Sequence, residues 1–230
     1  MLAVLAGTPG LPAIGAASSR RFLLLHGSGT SAGAFLNSPT ASGAKSFLSG
    51  VPCRVDAGGD VPPNWLYSAV DAGTDDGSWW KGDALEGIDR SIAKVEAAVD
   101  EQQAVGIIGH EQGATLAAII AARSALGDGP PLKFAVLCGG AMPSAAPYAE
   151  LLHRLRDTAE ASIPTLHCIG GADGSAEALA ACFGPTAEIL RHDQGSAMPG
   201  PRWWEDTQGF PEKVIGGNRW VTQFRGPFWY

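Results

Sequence analysis

The chain has 230 residues, 45% of them hydrophobic and 17% charged, with a formal net charge of −7. That length suits one sizeable domain, and that apolar content excludes a disordered chain. The acidic balance argues against a general nucleic-acid or anionic-membrane surface.

Residues 1–19 carry no charge, and no acidic residue precedes Asp56. The segment lacks the basic start of a secretory signal, and proline and glycine break it too often for a membrane span. A flexible leader is the expectation, with organellar targeting as the alternative. Residues 20–230 then form a single domain, and the cytoplasm is the default compartment.

From Arg21 onward, apolar runs of strand length alternate with helical segments. The predicted strands are Arg21–Leu25, Pro52–Val55, Ala104–Ile108, Lys133–Leu137, Thr165–Ile169 and Ala187–Leu190. The predicted helices are Ala84–Asp100, Ala114–Ala125, Tyr148–Arg156 and Ser175–Phe183. In the first helix Leu85, Ile88, Ile92, Val95 and Val99 recur at spacings of three and four, which makes one apolar stripe. Such alternation predicts an α/β fold, a mostly parallel sheet with helices on both faces. The stretch Val61–Trp80 and the chain beyond Met198 are rich in Pro, Gly and Trp and read as loops over the carboxyl ends of the strands. Cys53, Cys138, Cys168 and Cys182 show no metal-ligand spacing, and Cys138 and Cys168 read as small buried hydrophobes.

The segment of greatest chemical interest is Gly109-His110-Glu111-Gln112-Gly113, set between the apolar run Ala104–Ile108 and the small-residue segment Ala114–Ala122. Strand, Gly-x-x-x-Gly turn and helix form the setting of the α/β-hydrolase nucleophile elbow, whose usual motif is G-x-S-x-G. Further segments point the same way. They are Phe22–Gly27 with its L-H-G turn, Gly77-Ser78-Trp79-Trp80, Asp83–Glu86 with Ser91-Ile92, Pro164–Gly170 followed by Asp173, and Arg191–Pro199. Taken in this order they resemble the FSH family of serine hydrolases over roughly Arg21 to Pro199. The resemblance implies a single α/β-hydrolase domain that acts on a small-molecule substrate and needs no cofactor.

Two positions depart from the family pattern. Glu111 stands where the nucleophilic serine belongs, and Ser196 stands where the catalytic histidine belongs; His192 matches an earlier, non-catalytic histidine. The acid, Asp173, is in place. Acyl transfer by a Ser-His-Asp triad needs histidine to take the hydroxyl proton, so this chain lacks two of the three partners by residue type. A carboxylate at the elbow can form an ester intermediate or act as general base or acid in a one-step reaction. Ser28 and Gln112 supply the oxyanion-hole N–H groups that the resemblance implies. The candidate catalytic residues are therefore Glu111 and Asp173, with Ser196 and His192 assisting. The alternative is an inactive pseudo-hydrolase that binds or regulates through the inherited pocket, its carboxylate filling the oxyanion hole.

His110 is expected beside Glu111 at the pocket, while His26, His153 and His167 read as structural or solvated. No histidine set has metal-ligand spacing, and His110-Glu111 alone is not one. Trp79, Trp80, Trp203 and Trp204 could bring aromatic rings to the mouth beside Glu111, a combination that would favour a cationic ligand. The competing expectation is that paired tryptophans pack a loop onto the sheet.

Overall fold

The computed structural model describes residues 21–40, 66–199 and 210. The leader, the predicted strand Pro52–Val55, Cys53, Trp203 and Trp204 lie outside the described residues. Six strands form one sheet: β1 (Arg21–Leu25), β2 (Leu66–Val70), β3 (Ala104–His110), β4 (Phe134–Cys138), β5 (Thr165–Gly170) and β6 (Ala187–His192). Their order is β2-β1-β3-β4-β5-β6, with every adjacent pair parallel. A parallel pair needs a crossover, and most of the crossovers here are helical. The helices are α1 (Ala32–Leu36), α2 (Ile88–Gln102), α3 (Gln112–Ala125), α4 (Ala146–Asp157) and α5 (Gly174–Ala181).

Strand alternation divides the core into two. Leu23, Leu25, Ile107, Ala135 and Leu137 face one side, where α2, α3, α4 and α5 bury Ile92, Val95, Leu116, Ile119, Leu152 and Leu179 against them. Phe22, Leu24, Ile108, Phe134, Val136 and Cys138 face the other, where Phe35 of α1, Met198 and Phe210 cover them. Helix α3 is buried from Gly113 through Ala122. Its alanines explain why: an all-round apolar helix of small side chains can lie close to the sheet and still accept α2 and α4 on its other flank.

The sequence expectations miss two elements. Strand β2 falls inside the stretch read as a loop, and the five-residue α1 has no counterpart among the predicted helices. Helix α2 starts four residues late because Leu85 and Gly87 take left-handed φ values of 54° and 88°, while Lys81 and Glu86 form an antiparallel bridge. The apolar stripe runs from Leu85, but the backbone there turns rather than coils.

Candidate functional site

Strand order reverses direction between β1 and β3, and in open parallel sheets ligands bind at the carboxyl ends of strands flanking that point. His26-Gly27-Ser28 leaves β1 there, and Glu111 follows β3. The turn at Glu111 is tight: its φ and ψ are 50° and −116°, a conformation rare for a residue with a side chain. Main-chain partners hold it. The Glu111 N–H donates to the Cys138 carbonyl at 2.9 Å, and the Glu111 carbonyl accepts from Ala114 N at 2.9 Å and Thr115 N at 3.1 Å. Glycines make the passage possible. A Cβ on Gly113 would lie 2.5 Å from the His26 carbonyl oxygen, and one on Gly109 would lie 2.5 Å from Ala114 Cα.

One flank of the elbow is densely tied. Trp79 is fully buried and stacks on His26 with ring centroids 4.8 Å apart. Its indole Nε1–H donates to the His26 carbonyl at 2.7 Å, and its backbone N–H donates to Gln112 Oε1 at 3.0 Å. The Trp79 carbonyl accepts from the Ser91 hydroxyl, and the Gly29 N–H donates to the Gly77 carbonyl at 3.2 Å. A single tryptophan thus joins the turn after β1, the start of α3 and helix α2. His26 Nδ1–H donates to the Gly27 carbonyl at 2.7 Å, which fixes its tautomer and leaves the buried Nε2 without a partner among the described residues. Burial lowers the pKa of His26 and holds the ring neutral. This position corrects the expectation that Trp79 lines an aromatic mouth. Trp80 is half-buried and packs on the core.

The other flank carries Glu111, Ser196 and His110. The Glu111 side chain makes no capping bond to α3. Its Oε1 accepts from the Ser196 hydroxyl at 3.0 Å. Its Oε2 lies over Gly27, where a Cβ would come within 2.5 Å of it. The backbone N–H groups of Ser28 and Gln112 donate to no acceptor among the described residues. His110 lies beside this carboxylate, its ring parallel to Phe35 with centroids 6.3 Å apart. Because a carbonyl only accepts, the 2.9 Å contact between His110 Nε2 and the Ser196 carbonyl identifies Nε2 as the protonated nitrogen. Burial lowers the pKa of His110, opposed by the Glu111 charge and the Ser196 carbonyl.

The structure therefore brings Glu111, Ser196 and His110 together, with Ser28 and Gln112 at the same turn. Asp173 and His192 are engaged elsewhere. Asp173 caps α5, its Oδ1 accepting from Ser175 N at 3.0 Å and Ala176 N at 3.2 Å. His192 ends β6 with Nδ1 accepting from Gln194 N at 3.2 Å within its own loop, and burial lowers its pKa. The hydrogen bond between Ser196 and Glu111 escapes sequence reasoning, because residues 85 positions apart meet only once the sheet has formed. A cavity of about 430 Å³ also opens behind Gly29 and Thr30, lined in part by Asp71, Asp75 and Asp76. Two of these carboxylates already have partners: Asp71 accepts from Ala32 N at 2.7 Å, and Asp76 pairs with Lys81 at 3.1 Å.

Residues 16–207 match the family model described as serine hydrolase (FSH1). No curated protein matches the chain. Among solved structures, it is similar to acyl-protein thioesterase 2 of Zea mays, at 20% identity and a TM-score of 0.58. That match covers 85% of this chain and 94% of the other. It is similar also to a single-residue variant of SOBER1 from Arabidopsis thaliana, at 15% identity and a TM-score of 0.55, covering 86% and 100%. A carboxylesterase of Bacillus cereus matches at 15% identity and a TM-score of 0.52, covering 85% and 89%. At these identities the likeness is one of fold. Among the described residues no helix is long and apolar enough to cross a membrane.

Proposed function

From a chain that belongs to the FSH1 serine hydrolase family, we propose an enzyme that works through the elbow carboxylate of Glu111, as nucleophile or general base, on a small organic substrate. The observation that carries this reading is the pose of the carboxylate. It is not spent on the N–H groups of α3, and it is anchored through one oxygen by Ser196. Its other oxygen lies over Gly27, and the N–H groups of Ser28 and Gln112 in the adjoining turns would polarise a substrate carbonyl. His110 steadies the Ser196 loop as a neutral donor. Asp173 and His192 act through position, by capping α5 and by pinning the loop that carries Ser196.

Turnover of a small-metabolite extract by the wild type and by Glu111→Gln, read by mass spectrometry, tests this. A metabolite consumed by the wild type and spared by the variant is the expected result. A second reading, a non-catalytic binding protein, is favoured by the capping role of Asp173 and by the turn of His192 toward its own loop. Retention of a compound with no turnover by either protein would establish it in place of the first.

A further inference from the structure

Resting on the reading that Glu111 is chemically active, we infer that Ser196 is the nucleophile it serves: the pair is a serine–carboxylate dyad with the usual placement reversed, base on the elbow and hydroxyl on the loop. Three observations converge on it. The Ser196 hydroxyl donates to Glu111 Oε1 at 3.0 Å, so the proton that must leave already points at the base. Ser196 is exposed while Glu111 is half-buried behind it, so an incoming carbonyl carbon meets the hydroxyl first. The loop is seated by two further contacts. His110 Nε2–H holds the Ser196 carbonyl at 2.9 Å, and Gly139, with φ at 66°, lies close beneath, where a Cβ would come within 3.5 Å of Ser196 Cβ.

Acyl transfer balances on these groups. Ser196 Oγ bonds to the carbonyl carbon of an ester or thioester as its proton passes to Glu111 Oε1. The carbon–oxygen or carbon–sulfur bond then breaks, and the leaving group takes that proton from Glu111. Water attacks the acyl-serine and gives a proton to Glu111; the Ser196 oxygen departs and recovers it. The Ser28 and Gln112 N–H groups, which donate to no acceptor among the described residues, belong to the turns beside this pair and would meet the developing oxyanion.

A fluorophosphonate tests the nucleophile directly, since Ser196 Oγ would form a bond to phosphorus, fluoride would leave and Glu111 would take the proton. The expected result is one phosphonyl group on wild-type protein, mapped to the peptide carrying Ser196, absent from Ser196→Ala and formed at least tenfold more slowly by Glu111→Gln. Thermal melts of each variant show whether it folds, and Ser196→Thr, which keeps a hydroxyl beside Glu111, should regain the adduct that Ser196→Ala loses. No adduct, an adduct elsewhere, or an undiminished rate in Glu111→Gln would overturn the dyad. Metabolite turnover lost in Glu111→Gln but kept in Ser196→Ala would overturn the dyad alone; turnover unchanged in Glu111→Gln would overturn the reading of Glu111 with it.

Discussion

The two flanks of the Glu111 elbow are built differently. On the β1 side, His26, Trp79, Gln112 and Ser91 form a largely buried, mutually bonded cluster beside an elbow whose glycines admit no Cβ. On the β5–β6 side, an exposed loop meets the Glu111 carboxylate through one hydroxyl and the His110 ring through one carbonyl. The first flank sets where the elbow stands, and the second sets what the elbow can do. Buried bonds whose loss strands a polar group are costly to change, whereas an exposed bond can be exchanged for water. It follows that chemistry can drift on one flank while the other keeps the scaffold in place.

The largest effect should come from the glycine at the closest approach. Gly113→Ala drives a methyl group into the His26 and Leu25 carbonyls, and loss of folded protein, or a fall in melting temperature above about 10 °C, is expected. A melt unchanged in Gly113→Ala would break the comparison outright. Next is Trp79→Ala, which removes the stacked ring and the bond to His26; unfolding by urea should show a loss of about 3–5 kcal/mol.

Acid probes the buried flank in another way. A histidine kept neutral by burial binds fewer protons folded than unfolded, so stability is full above about pH 6.5 and falls as pH drops through that value. His26 behaves so, and His167, pushed down to about 4 inside β5, adds to the same loss. The melting temperature should therefore fall between pH 6.5 and 4, and His167→Phe should flatten that slope. A flat profile in the wild type would show that neither ring is held neutral.

The smallest effects belong to the exposed flank. Ser196→Ala should cost under about 1 kcal/mol, because water replaces its hydroxyl at Glu111. Glu111→Gly should stabilise the fold by about 1 kcal/mol, since glycine takes a φ of 50° without strain. A Ser196→Ala loss as large as that of Trp79→Ala would erase the distinction between the flanks.

Much of the scaffold is readable before any coordinates. Five of the strands and four helices follow from apolar runs and their period, and the Gly109–Gly113 turn is recognisable because its glycines answer a steric demand. Strand β2 is not, because Leu66–Val70 is short and lies between Pro- and Gly-rich segments; pairing with β1, not local pattern, makes it a strand. The Glu111 position is legible from its frame. Ser196 and His110 are legible as its neighbours too, but the hydrogen bond between residues 111 and 196 is not, since it depends on how two loops meet above the sheet. Trp79 teaches the opposite lesson: an aromatic pair in a Gly-rich loop suggests a ligand surface, yet its indole is spent internally.

The main-chain bonding of residue 111 has a wider consequence. Its N–H and carbonyl are satisfied by Cys138, Ala114 and Thr115 whatever side chain it bears, so that side chain sits in an interchangeable socket. In a lineage exploring new reactions, such a position can be rewritten without renegotiating the architecture around it. The demand falls instead on the facing loop, which must supply a fitting counterpart, and here that loop offers the Glu111 carboxylate the hydroxyl of Ser196.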